Sequence, residues 1–344
     1  MFGSDAIDPL KFQITEVSND MSNADYHARD EISSSFVKTV SKHSIGRALA
    51  PQPAEVPKAF LFGDAFHGAM ELGDIDWDRF VQTPDESMSS YAAGERLIED
   101  FRNKFNQDIP YDFEKHEGIA VKPDGLSLAT KEGKEWKSKN SDKLIVYAKD
   151  IENIKSTIKK SRWDNEHGSK IQLTPNEITS VNGMVDSIYK NPFFKPYKNN
   201  ARLNQCDEWS YFAEGDCEHT AGLRFRVRPD VLFQRKNDGS IEIIFDYKSC
   251  IEIAKLTKWQ FFDFGYDIQA VFYADVLGVD PRKFVFLAVE KEAPWASRAI
   301  RLTEDSIENA RYKLISVLNR IKEWKANPSD RRNIDIVLPD LIEL

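Results

Sequence analysis

Asp230, Asp246 and Lys248 lie in the run RPDVLFQRKNDGSIEIIFDYKS. Asp246 and Lys248 are two apart in IEIIFDYK (241–248), which reads as a strand, and residues i and i+2 of a strand point to one face. KNDGS reads as a hairpin turn of the Asp-Gly kind, so the preceding strand can bring Asp230 alongside them. Two carboxylates and a lysine on one face suit phosphodiester hydrolysis. Hard oxygen ligands bind Mg²⁺, which keeps several waters and takes phosphate oxygens as further ligands. The metal acidifies a bound water and offsets charge in the transition state. The lysine orients or deprotonates the attacking water. A bare D-x-K is a weak signal, because solvated strands often carry alternating charges. Here Ile243, Ile244 and Phe245 lead directly into Asp246, which marks a buried strand, and Asp230 follows Pro229 at a hairpin's distance.

The elements that must position these residues are clearest in the last part of the chain. QCDEWSYFAEG (205–215) alternates like a strand. AGLRFRVRPDVLFQ (221–234) alternates too, with Leu223, Phe225 and Val227 on one side and Arg224, Arg226 and Arg228 on the other. Residues 252–277 read as a helix, KFVFLAVEKE (283–292) as a strand, and 303–325 as a long amphipathic helix. This order predicts an α/β (α+β) core, a central mixed sheet flanked by helices over 201–344. Residues 31–200 form a helical and mixed N-terminal part. Helices are predicted at 31–49, 58–72, 90–106, 149–161 and 175–190, with a proline-rich connector at PQPAEVP (51–57). Residues 1–30 are polar and read as a mobile or loosely docked arm.

A chain of 344 residues holds one large domain or two ordinary ones. Its 22 phenylalanines and 7 tryptophans predict an aromatic core. Three cysteines, Cys206, Cys217 and Cys250, fit neither a disulfide framework nor a CxxC zinc pattern, and cannot supply the four thiolates of an iron–sulfur cluster. No apolar run reaches membrane-spanning length and the N-terminus lacks signal-peptide character, so a cytoplasmic protein is expected. The net charge of −9 counts against unspecific coating of DNA. Residues 221–260, however, carry eight lysines and arginines against five acids, a local +3 on a body of −12. That is the pattern of an enzyme gripping DNA only at its cleft, or of chance clustering on a strand pair. No phosphate loop, zinc finger or helix-turn-helix motif is present, so neither an ATP motor nor sequence-specific recognition is expected.

The pattern R-P-D, fifteen residues, D-Y-K, then a helix reading FGYDIQAVFYAD, resembles the PD-(D/E)xK nuclease domain of the RecE exonuclease (exonuclease VIII) group of phages and prophages. The resemblance runs from about residue 31 to residue 325. It includes LFGDAFHGAMEL (61–72), GLSLATKEGKEW (125–136) and FVFLAVEKEAPWA (284–296). It implies that Asp230 and Asp246 bind metal, that Lys248 is the catalytic lysine, and that the Tyr247 carbonyl faces the metal. His67, alone a core or capping histidine, matches the histidine that approaches the metal from the helical region. Gln269 and Tyr273 match a Q-x-x-x-Y pattern of the wider RecB-like nucleases. Four apart on one helix face, they could hold the lysine or a DNA phosphate, or simply pack. Glu208 is a further acidic candidate ligand, or a solvated strand residue. RecE-like proteins often carry a long extra N-terminal region, for which this chain has little room.

The resemblance also implies a function. It is a Mg²⁺-dependent exodeoxyribonuclease, with Mn²⁺ as a substitute, acting on double-stranded DNA ends. It would run 5′ to 3′, leave 3′ single-stranded tails for a single-strand-annealing recombinase, and form a ring-like homotetramer. Two alternatives stand beside it. One is an endonuclease or single-strand nuclease of the same fold. The other is a DNA-end-binding or recombinase-recruiting module with vestigial catalysis, against which the complete Asp230, Asp246 and Lys248 set argues.

Overall fold

The structure, a computed structural model, describes residues 8–50, 58–84, 89–256 and 258–329. The connector PQPAEVP and residues 1–7 lie outside them. The chain divides into two compact units, residues 1–76 with 179–344, and residues 77–178. The division therefore does not fall at residue 200, where strand-rich sequence begins.

The first unit opens with β1 (Phe12–Ser18), α1 (Asn23–Ala28), α2 (Ser34–Lys42), α3 (Ile45–Leu49) and α4 (Lys58–Leu72). The second unit holds β2 (Phe80–Gln82), α5 (Ala92–Phe105), β3 (Ile119–Lys122), α6 (Lys131–Lys139), β4 (Leu144–Tyr147), α7 (Ile151–His167) and β5 (Ile171–Leu173). α8 (Pro175–Lys190) crosses the boundary. The first unit resumes with α9 (Lys195–Lys198), β6 (Leu203–Asp207), β7 (Ser210–Gly215), β8 (Arg224–Val227), β9 (Val231–Arg235) and β10 (Ile241–Cys250). It ends with α10 (Lys258–Asp263), α11 (Tyr266–Val276), β11 (Phe284–Glu290), β12 (Ser297–Ile300) and α12 (Glu304–Ala326).

The site-bearing sheet is mixed, in the order β12-β11-β10-β9-β6. β10 pairs parallel with β11, from Ile244↔Phe284 to Cys250↔Glu290, and antiparallel with β9, ending at Phe245↔Val231. The predicted turn is present: Gly239 takes φ +69°, which a glycine tolerates without strain, and Asp238 Oδ1 accepts from the Ser240 N–H. β10 is central and β11 lies beside it, so the middle of β10, residues 243–247, and β11 from Phe284 to Val289 are buried. α11 is buried at every position from Asp267 to Val276, as befits a helix with little polar periphery. It shares one core with Val37 and Val40 of α2 and Leu314, Val317 and Leu318 of α12. The twelve largest fully buried side chains among the described residues are all phenylalanines. In the second unit a smaller core gathers Leu97, Phe101, Phe113, Val146 and Ile158. No described helix is long and apolar enough to cross a membrane.

Several predicted elements are subdivided. The helix expected at 252–277 breaks at Gly265, which takes φ +68° and separates α10 from α11. The helix at 31–49 breaks before α3, whose N-cap Ser44 accepts from the Arg47 N–H. Each alternating run thought to be one strand is two, in different sheets. β6 and β9 belong to the five-stranded sheet, whereas β7 and β8 form a three-stranded sheet with β1. The chain leaves the large sheet at Glu208, at φ +52°, and returns at Arg228-Pro229-Asp230, where proline has no N–H for a ladder.

Nor are residues 12–28 a loose arm. β1 pairs along β7 from Phe12↔Gly215 to Ser18↔Ser210, and Phe12 meets the Phe225 ring edge-on at 4.9 Å. Polar composition concealed a strand because most β1 side chains are exposed, and what holds β1 is the backbone ladder along one edge with β7.

Candidate active site

The two corners where the chain changes sheets lie side by side. The Glu208 N–H donates to the Asp230 carbonyl at 3.1 Å, and Asp207 pairs with Val231. Both acids therefore sit at a sheet junction beside β10. The Tyr247 N–H donates to Asp230 Oδ2 at 2.5 Å, fixing that carboxylate against the β10 backbone. α4 supplies the third member. Phe62, Ala65, Phe66, Ala69 and Met70 form its buried stripe and leave His67 at the stripe's edge. His67 Nδ1 stands 3.5 Å from Asp230 Oδ2. His67, Glu208 and Asp230 each offer one ligand atom, all within 4.8 Å of one another.

Asp246 and Lys248 point together from β10 and form an ion pair, with the Asp246 side chain 3% exposed. Gln269 of α11 donates to Asp246 Oδ2 at 2.6 Å. Lys38 of α2 donates in turn to Gln269 Oε1 at 2.9 Å. The Tyr247 ring packs edge-on against Phe66, His67 and Phe194.

Burial disfavours charge at each of these groups, and the neighbours decide the outcome. Burial lowers the His67 pKa, but the Asp230 carboxylate outweighs it and pushes the imidazole up to about 9. Burial raises Asp230, yet His67, Lys248 and the Tyr247 N–H together hold it below the usual carboxylate range. Glu208 rises to about 8 through burial and the neighbouring Asp230 charge. Asp246 is raised by burial and by Asp230, against the pull of Lys248. Burial lowers Lys248, but Asp246 and Asp230 outweigh it and lift the ammonium above its ordinary value. Lys38 falls to about 8 through burial and repulsion from Lys248.

This donor set fits a hard divalent cation. One imidazole nitrogen and two carboxylates converge, and oxygen-rich sets select Mg²⁺, Ca²⁺ or Mn²⁺ over softer ions. The crowding that pushes Glu208 up is the kind a cation between two carboxylates relieves.

The structure brings His67, Glu208 and Asp230 into one group, and Asp246, Lys248 and Gln269 into a second that adjoins it through Tyr247. Tyr273 forms no hydrogen bond to Lys248 among the described residues. Its hydroxyl donates to the Arg228 carbonyl at 3.3 Å, bracing the corner before Asp230. Nor does Gln269 hold Lys248; its partners are Asp246 and Lys38. The arginine row is not an open patch either. Arg226 is buried and donates to the carbonyls of Tyr26 and Arg29. Arg228 donates to Ser210 Oγ at 2.8 Å and the Met21 carbonyl at 3.0 Å, while Arg224 pairs with Asp30. Residues 21–30 occupy most of these guanidinium donors. Lys38 is the residue that sequence reasoning passed over. Its one local mark is a place between the buried Val37 and Val40, and no spacing rule ties it to Gln269.

The family model described as PDDEXK-like domain of unknown function (DUF3799) matches residues 33–332. Among solved structures, one from Eubacterium rectale described as a "Putative exonuclease" is similar, at 12% identity over 95% of this chain and 97% of that chain, with a TM-score of 0.43. No curated protein matches the chain.

Proposed function

We propose that this chain, which belongs to the family of the PDDEXK-like domain of unknown function, is a Mg²⁺-dependent exodeoxyribonuclease acting on the ends of linear duplex DNA. The observation that carries this reading is the pairing of Asp246 with Lys248 on one strand, next to the His67, Glu208 and Asp230 group. His67, Glu208 and Asp230 would hold the metal, with Asp246 and the Tyr247 carbonyl adjoining. When bound, the ion supplies acidity to water and neutralises phosphate charge. Mn²⁺ prefers similar ligands and is proposed to substitute.

Lys248 acts as a donor. Its neighbours keep it an ammonium, which has no lone pair with which to take a proton. It orients the attacking water and offsets charge on the phosphate oxygens. Asp246 fixes the ammonium, and Gln269 fixes Asp246. Water adds to phosphorus, one P–O bond breaks, and one proton of the water passes overall to the leaving oxygen, so the products are a phosphate on one fragment and a hydroxyl on the other.

The RecE-like resemblance supports the finer proposals. These are 5′-to-3′ polarity, 3′ single-stranded tails, hand-over to an annealing recombinase and a ring-like homotetramer; a cytoplasmic setting is proposed from the sequence alone. A closed ring would explain processivity, since a threaded enzyme cannot leave. The test is to incubate covalently closed circular DNA and the same DNA linearised with Mg²⁺. Loss of the linear form alone supports an exonuclease, and equal loss of both means an endonuclease.

A further inference from the structure

Gln269 is a buried amide with two partners of opposite character. An ammonium has only donors and a carboxylate only acceptors. With Lys38 on one side and Asp246 on the other, one amide orientation satisfies both, oxygen to Lys38 and NH₂ to Asp246. The flipped amide would set like groups together at both ends. Without Lys38 the Gln269 oxygen would be buried and unpaired, a state the side chain escapes by turning away from Asp246.

The surroundings make room for this lysine. Its stem passes Gly265, where an added Cβ would lie 3.0 Å from Lys38 Cγ. Its ammonium lies 5.8 Å from the centre of the Tyr266 ring, and that of Lys248 lies 5.3 Å from the same centre. The two lysines thus reach one aromatic ring from different elements, one holding Gln269 and the other holding Asp246.

We propose that Lys38 is a positioning residue for hydrolysis, locking the Gln269 amide so that Asp246 presents its second oxygen to Lys248. This rests on the nuclease reading for its kinetic consequence, but not for the amide geometry. The kinetic test compares wild type, Lys38→Met, Gln269→Leu and the double variant on linear duplex DNA with Mg²⁺, with thermal unfolding as the check on folding. Lys38→Met should lower kcat by about 10–100-fold, the usual effect of removing such an outer partner, with KM for DNA nearly unchanged. The double variant should be no worse than Gln269→Leu, because the two residues act as one unit. A double variant that loses the product of the two single losses would overturn the proposal, since Lys38 would then act without Gln269. The second readout needs no activity. With glutamine side chains labelled by ¹⁵N, the Gln269 amide protons should exchange slowly in wild type and fast in Lys38→Met. Unchanged protection in Lys38→Met would also overturn it. If wild type cleaves nothing with Mg²⁺ or Mn²⁺, the nuclease reading fails, and the amide measurement still decides the role of Lys38.

Discussion

His67 Nδ1 and Asp230 Oδ2 face each other at 3.5 Å, one from a helix early in the chain and one from the corner where β8 passes into β9. The pair joins the histidine helix to the sheet junction, and it makes the site sensitive to pH in a definite direction.

The His67 pKa in the folded protein, about 9, lies above its ordinary 6.5. The contribution of this pair to stability is therefore complete below pH 6.5 and is lost as pH rises through about 9. Urea unfolding of protein freed of divalent ions should show wild type losing stability across that interval more steeply than His67→Ala. Identical slopes would contradict the pairing. Because metal must displace this proton, Mn²⁺ affinity measured by calorimetry should rise over the same interval.

Arg226 is assigned to the fold and not to DNA. Its guanidinium satisfies the carbonyls of Tyr26 and Arg29. Arg226→Met should lower unfolding free energy by about 1.5–3 kcal/mol, the range for hydrogen bonds to a charged group. The slope of DNA affinity against salt should stay as in wild type, because no phosphate contact is removed. A shallower slope would return this arginine to the DNA surface.

Gln269 and Tyr273, four apart on α11, should behave differently. Gln269→Leu removes a donor from Asp246 and should lower kcat by about 10–100-fold. Tyr273→Phe removes a hydrogen bond to the Arg228 carbonyl and should cost about 1 kcal/mol of stability while kcat changes far less. Steady-state kinetics and unfolding of both variants separate the two. Equal kinetic losses would mean that Tyr273 touches the chemistry.

Asp246, Lys248 and their relation to Asp230 were legible because the rules that place them are local: two-residue strand periodicity and an Asp-Gly turn. The corners were not legible. Alternation continues through Glu208 and through Pro229, and nothing in it reveals that the flanking strands enter different sheets. The arginine row misled for a related reason. Arg226 and Arg228 face away from one core, but the β1–α1 segment covers that face, and its own polar composition hid it. His67 came from resemblance, since its meeting with Asp230 depends on how α4 packs. Lys38 was invisible because only the packing of α2 on α11 gives it a partner.

The most direct test is digestion of a linear duplex, labelled separately at its 5′ and 3′ ends, with Mg²⁺ or EDTA, by wild type and Lys248→Ala. The expected result is Mg²⁺-dependent release of 5′-terminal nucleotides, reduced by about 10²–10³-fold in Lys248→Ala, the usual cost of removing one donor aimed at transition-state charge. Absence of cleavage by wild type with any divalent ion, or undiminished cleavage by Lys248→Ala, would contradict the assignment of this site to metal-dependent hydrolysis.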